Sequence, residues 1–288
     1  MHSDLRPVSS HSAQLGEGPR WWAEVGRLLW VDIDGGLVLT HDPATGQDQI
    51  LDLDEKVGCV TPTTTGDFIA GLASGIARID AITGTVDLLH SPEKDKPKNR
   101  FNDGAVDPAG RLWAGTMGPD RGGALYRLDH DGSLHTMLTG IGTSNGLCWS
   151  LDNATFYYID TPTAQVRIFD YDVDIGALGT EHEPLPIPAA DMGHPDGMTI
   201  DDEGMLWIAH WGGSRVTRWD PRARQCTYTI AMPAERVTAP WFGGDGSDLY
   251  ITTAAPEKDK RQSQPDAGRL FCCRVDVTGP AAPLCRLD

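Results

Sequence analysis

A unit of roughly 40–50 residues recurs six times along this 288-residue chain, and that recurrence narrows the folds open to it. The second half of each unit reads as a strand-like run, a short turn, a second alternating run and an acidic turn. The six instances are LLWVDIDGGLVLTHDPATG, DFIAGLASGIARIDAITG, RLWAGTMGPDRGGALYRLDHDG, TFYYIDTPTAQVRIFDYDVD, MLWIAHWGGSRVTRWDPRAR, and DLYITTAAPEKD completed by GRLFCCRVDVTG. Their closing aspartates are Asp42, Asp80, Asp129, Asp170, Asp220 and Asp276, spaced 38 to 56 residues apart. Long helical patterns are missing. About four strands per period is the signature of propeller blades, so the expected fold is all-β: a six-bladed β-propeller around a central channel, forming one domain over residues 1–288. Such a ring must close or leave edge strands exposed. The segment around Arg6 to Ala13 is therefore expected to add a strand to the blade containing Gly268 to Val277. Pro92 to Asn99 and Pro256 to Asp266 are rich in charge and proline and read as surface loops.

Composition removes several classes of function. A net charge of −17 argues against a nucleic-acid surface, which needs clustered Lys and Arg to neutralise phosphates. No run approaches the roughly 20 apolar residues of a membrane span, and the N-terminal stretch lacks the basic and apolar regions of a secretory signal. The six cysteines form no C-x-x-C pair, and Cys272 and Cys273 are adjacent in a strand-like run where side chains point to opposite faces. Reduced, mostly buried thiols in a cytoplasmic protein are expected.

Chemistry enters at four positions where a short oxygen-bearing side chain directly precedes a glycine. They are Glu17 in LGEGPRWW, Asp103 in RFNDGAV, Asn145 in TSNGLCW and Asp196 in HPDGMTI. Each lies eight to eleven residues ahead of a strand-like run and so opens the innermost strand of its blade. Equivalent positions in separate blades meet at one mouth of the channel. Carboxylate and amide oxygens gathered there are what a hard cation needs, so the set is a candidate metal site. Tight-turn dipeptides are the bland alternative. Each unit has its own turn a few residues later, however, as at Asp107 to Gly110 and Asp201 to Gly204. The glycine is better read as letting the backbone pass close to a ligand or a neighbour. Val60-Thr61-Pro62 and Thr238-Ala239-Pro240 are taken to mark the same register in the two blades that lack such a group.

Other motifs carry less. Gly142 to Gly146 fits G-x-S-x-G, but a nucleophile elbow needs a strand-to-helix turn, and a strand follows Ser144. Asp129 to Gly132 opens like a calcium loop, yet Gly140 occupies its twelfth position, so it reads as a hairpin turn. Arg100, Asn102 and Asp103 are dense in hydrogen-bonding groups just before an inner strand, where an arginine could fork onto a carbonyl or hydroxyl pair. His194 and His210 fall near the same mouth by register, but oxygen ligands are available and neither is assigned to metal. Trp30, Trp113, Trp207 and Trp211 read as blade-packing residues.

The segments LGEGPRWW, NRFNDGAVDPAGRLWAGTM, SNGLCWSLDNATFYYIDT and HPDGMTIDDEGMLWIAHWGG, in that order, resemble the regucalcin-like gluconolactonase, or senescence-marker-protein, family over nearly the whole chain. The resemblance implies a six-bladed propeller with one divalent cation (Ca, Zn, Mg, Mn or Fe(II)) and hydrolysis of a sugar lactone. It places the metal ligands at Glu17, Asn145 and Asp196 and the substrate contacts at Arg100, Asn102 and Asp103. Asp120, shortly after GTM, stands where relatives carry an acidic substrate contact, although Pro119 and Arg121 beside it depart from the family pattern. The implied reaction has the cation polarise the lactone carbonyl and lower the pKa of a bound water, with Asp196 as general base. A non-catalytic calcium-binding regulator and a propeller hydrolase for other esters are the alternatives. A monomer is expected, because a closed propeller needs no partner to cover its edges.

Overall fold

The computed structural model describes residues 4–288 as six four-stranded antiparallel sheets arranged in chain order. The innermost strands are Gly16–Trp22, Val57–Pro62, Arg100–Val106, Ser144–Trp149, His194–Ile200 and Val237–Gly243, opening blades one to six. In blades one to five the following three strands complete the sheet by simple up-and-down pairing. Blade six draws on both ends of the chain. Arg6–Pro7 pairs with Phe271–Arg274, so the N-terminal segment supplies its outermost strand, as the sequence led us to expect. The six-bladed propeller follows. Among the described residues no helix is long and apolar enough to cross a membrane, and the longest is the single turn Ala189–Met192.

Packing explains why the second strands read as nearly continuous apolar runs. Blade faces are covered by neighbours on both sides, so Arg27–Asp32, Phe68–Leu72 and Leu206–Trp211 are buried along almost their full length. The buried residues fall into six clusters, each joining two adjacent blades. Leu28, Trp30 and Leu39 of blade one meet Tyr250, Leu270 and Cys272 of blade six, which closes the ring. Trp113 and Trp207 pack as expected, and each also donates its indole N–H to a turn aspartate, Asp107 or Asp201. The other oxygen of each of those carboxylates accepts two backbone N–H groups of its own turn. One residue thus fixes the turn and its tryptophan together.

All six inner strands carry a register shift near their start, against the second strand of the same blade. A bulge adds a residue, bends the strand and re-aims side chains. The shifts fall between Glu17 and Arg20, Phe101 and Asp103, Asn145 and Leu147, and Pro195 and Met198, so the pre-glycine residues sit on them. The glycines serve close approach to the next blade. A Cβ on Gly146 would lie 2.5 Å from Met198 Cβ, and one on Gly197 would lie 2.4 Å from Ala239 Cβ. Blade six shows its bulge at Thr238, in the expected register. Blade two differs: its shift falls between Val57 and Cys59, so Gly58-Cys59 holds the equivalent position and Val60-Thr61-Pro62 lies beyond it. On sequence, Val60-Thr61-Pro62 is matched to Thr238-Ala239-Pro240 of blade six, but strand pairing, not local similarity, sets the register.

The C-terminal segment crosses the opposite mouth. Thr278 is bonded to Asp202 of blade five, Gly279 to Gly246 of blade six, Cys285 to Pro62 and Thr64 of blade two, and Arg286 to Gly110 of blade three. Pro280 and Pro283 of this strap help wall a cavity of about 260 Å³, with Leu147, Trp149, Ile200 and Trp241 of the inner strands.

Candidate functional site

At the mouth where the inner strands begin, the bulges turn polar side chains into the channel. Glu17, Asn102, Asp103, Asn145 and Asp196 are all buried there, and Arg100 is partly buried at their edge. Glu17 and Asp103 each accept the backbone N–H of the glycine that follows, at 3.0 and 2.7 Å. A hydrogen-bonded chain links blades three, four and five. Arg100 donates to Asn102 Oδ1 at 2.7 Å, and Asn102 Nδ2 donates to Ser144 O and to Asn145 Oδ1 at 2.8 and 3.1 Å. Asn145 Nδ2 donates to Thr161 Oγ1, which donates onward to Pro195 O, both at 2.8 Å. Since Thr161 spends its hydrogen on that carbonyl, it can only accept from Asn145. This fixes the amide with its oxygen on the Asn102 side.

Among the described residues, three carboxyl groups, Glu17, Asp103 and Asp196, meet only two guanidinium groups at this mouth, Arg20 and Arg100. Burial raises the Glu17 carboxyl to about 8, and neighbouring Asp103 adds to the effect. Asp196 is pushed well above the usual range by burial, then by Glu17 and Asp103, with Arg100 opposing. Burial raises Asp103 too, against the pull of Arg20. Asp196 Oδ1 is fully buried and has no hydrogen-bond partner. An orphaned carboxylate oxygen costs several kcal/mol unless something positive meets it (roughly 1–3 for a neutral group, more for a charged one). Among the described residues no group of three or more His, Cys, Asp or Glu side chains is arranged to hold a metal ion. Glu17 and Asp196 repel one another across the mouth, and Gly146, next to Asn145, lies against the Asp196 backbone; carboxylate and amide oxygens are the hard donors a divalent cation takes.

Three residues at the site had escaped sequence reading. Arg20 is the most consequential. Its guanidinium lies 3.6 Å from Asp103, donates to Gly104 O at 2.5 Å and stacks 4.1 Å from the ring centre of Trp241. Blades one, three and six meet there, so Arg20 spans the channel and floors the site. Simple alternation would put Glu17 and Arg20 on opposite faces, and only the bulge through Gly18-Pro19 brings both inward. Thr161, in the turn after blade four's second strand, carries no motif. Cys59, the blade-two equivalent, is buried beside Asp103 and Arg20, and its thiol is pushed up to about 12 by burial, then by Asp103.

Among the described residues, the side chains of the remaining candidates make no hydrogen bond to this cluster. Asp120 sits exposed on the short turn Pro119–Arg121, while its neighbour Arg121 bonds Asp160 of blade four at 2.7 Å. His194 is exposed at the start of its strand. His210 is fully buried, touches Thr217 Oγ1 at 2.6 Å, and has a pKa lowered to about 4 by burial, so it is a neutral packing residue. Ser144 lies within a strand and not at an elbow.

Fold and site together define a propeller with an acidic, oxygen-rich cluster at one channel mouth. The chain belongs to the SMP-30/gluconolactonase/LRE-like family, whose profile matches residues 15–255. It is 40% identical to regucalcin of Danio rerio over 280 residues, covering 94% of this chain and 93% of that one. It is 38% identical over 275 residues to YvrE of Bacillus subtilis (strain 168), provisionally named a sugar lactone lactonase, with 93% of each chain covered. The solved structure of a calcium-binding protein, regucalcin, from Agrobacterium tumefaciens strain C58 superposes with a TM-score of 0.92 at 27% identity, covering 99% of this chain and 98% of that one.

Proposed function

We propose that the protein is a sugar lactonase that hydrolyses an aldonolactone to the aldonic acid, using a divalent cation held by Glu17, Asn145 and Asp196. The buried, unpartnered Asp196 Oδ1 carries this reading, because it sits in a carboxylate cluster short of positive charge. Family membership and the provisional lactonase name of a 38% identical relative support the reaction class. When bound, such a cation supplies Lewis-acid polarisation of a carbonyl and a lowered pKa for coordinated water. The rest is the work of the chain. Asp196 takes a proton from the attacking water as it adds to the acyl carbon. Arg100 and Asn102, already bonded to each other, orient the sugar hydroxyls together with Asp103. Asp120, exposed on the rim turn Pro119–Arg121, is the further side chain assigned to the sugar.

The test is turnover of an aldonolactone panel, followed by acid release with each of Ca, Zn, Mg, Mn and Fe(II). Asp196→Ala and Asn145→Ala are expected to abolish turnover while retaining the fold by circular dichroism. Full activity in metal-stripped Asp196→Ala would refute the mechanism. The similarity to regucalcins, one solved as a calcium-binding protein, favours a second reading, a calcium-responsive regulator. That reading predicts tight calcium binding with no lactone turned over.

A further inference from the structure

A second cavity opens at the same mouth, on the rim between blades five and six, with a volume of about 560 Å³. Asp191, His194, Trp211, Ser214, Glu235 and Gln264 are among its walls. His194 is two residues from Asp196, a step of about 7 Å along a strand, so the cavity lies directly beside the proposed reaction centre. Trp211 pairs with His194 across the sheet and is only partly buried. The Arg236 guanidinium sits 5.1 Å from its ring centre, and its indole N–H donates to no protein group among the described residues. Glu235 is held in place by Lys260 at 2.8 Å, and its backbone N–H donates to Gln264 Oε1 at 2.7 Å. The wall is therefore preorganised. An aromatic plane among a carboxylate, an amide and a hydroxyl matches the alternating C–H and O–H surface of a pyranose ring.

Geometry across the mouth says which molecule reaches it. In a ring of six, blade six lies opposite blade three, which carries Arg100 and Asn102. A single aldonolactone held by those two side chains over Asp196 leaves the far rim to water. A longer substrate lying across the centre reaches it. We propose that this cavity is a subsite for a second sugar residue, so that the preferred substrates are disaccharide lactones, aldonolactones carrying a further pyranose. The inference rests on the lactonase reading. Its chemistry is unchanged: water adds to the acyl carbon, the ring C–O bond breaks to give a carboxylic acid and a hydroxyl, and the glycosidic bond stays intact.

The experiment compares kcat/KM for cellobionolactone and glucono-1,5-lactone on the metal-loaded protein. The wild type is expected to favour the disaccharide by about tenfold, roughly one good stacked and hydrogen-bonded contact. Trp211→Ala should bring the ratio near one. Ala190→Trp, which fills the cavity from a surface position without hollowing the core, should do the same. A wild-type ratio at or below one, or a ratio that neither variant moves, overturns the subsite. Titration with cellobiose, read by tryptophan fluorescence, separates this from the reaction itself. Saturable binding lost in Trp211→Ala, with no lactone hydrolysed, overturns the lactonase reading and keeps the subsite. Absence of binding together with the unmoved ratio removes the subsite alone.

Discussion

Replacing Arg20 by methionine tests how the channel floor holds the site above it. Methionine keeps an apolar stem against Trp241 and deletes the charge. At the observed 3.6 Å, attraction between Arg20 and Asp103 amounts to ~4–5 kcal/mol for an effective dielectric constant of about 20. Stranding one member of a buried pair costs about 3–5 kcal/mol, so Arg20→Met is expected to lower unfolding free energy by that amount. Asp103→Asn strands the arginine but also relieves repulsion on Glu17 and Asp196, so its cost is smaller. The informative quantity is the coupling. In the Asp103→Asn background, Arg20→Met should cost about 2 kcal/mol less than in the wild type. Urea unfolding followed by tryptophan fluorescence, in chelator so that no cation compensates the carboxylates, gives all four corners of the cycle. Additivity within about 0.5 kcal/mol would mean that Arg20 does not act through Asp103, and the argument would fail.

The raised carboxyls set a pH dependence. Between the unfolded value of 4.5 and the folded value near 8, native Glu17 keeps a proton that the unfolded chain has released, and Asp196 shifts the same way. Stability of the metal-free protein should therefore fall as pH rises through that window, and Glu17→Gln should flatten the fall, as read by Tm. For the same reason, binding of a divalent cation near pH 7 should release protons, so the calorimetric heat should vary with the ionisation enthalpy of the buffer; identical heats in two buffers would contradict it. Gly146→Ala should destabilise by ~1–3 kcal/mol, because its Cβ would meet Met198 Cβ at 2.5 Å and Asp196 O at 2.8 Å. An unchanged Tm there would show that the blade-four to blade-five approach is not tight.

The repeat made the architecture legible because propeller blades leave a periodic trace: a doubly covered second strand, an acidic third-strand turn and a glycine-flanked inner strand. Even the closing strand from the N-terminus could be read, since a ring requires it. Site convergence was legible for residues that recur at one register, and the inward-facing Glu17, Asp103, Asn145 and Asp196 all lie on bulges. Arg20 and Cys59 were hidden by the same device. A bulge inserts a residue into the alternation, so facing cannot be counted from sequence, and in blade two the count slipped past Gly58-Cys59. Thr161 acts through a turn with no periodic signal. Asp120 illustrates the opposite limit, because it has a positive φ of 55° in the irregular turn between Leu112–Met117 and Gly123–Leu128, where spacing carries no direction.

The pairing of Arg6–Pro7 with Phe271–Arg274 also orders events during synthesis. A nascent chain emerges at ~5–20 residues per second, so the first residues wait for tens of seconds until their partner strand leaves the ribosome. Until then the growing arc has two raw ends, one showing Leu28, Trp30 and Leu39 and the other missing the Tyr250 and Leu270 that will cover them. Glu17 belongs to the first blade made and Asp196 to the fifth, so the oxygen cluster cannot assemble until five blades have emerged. Clipping the first few residues after folding should therefore act on the whole ring, loosening the seam between blades six and one, across which Arg20 stacks on Trp241 at the floor of the site.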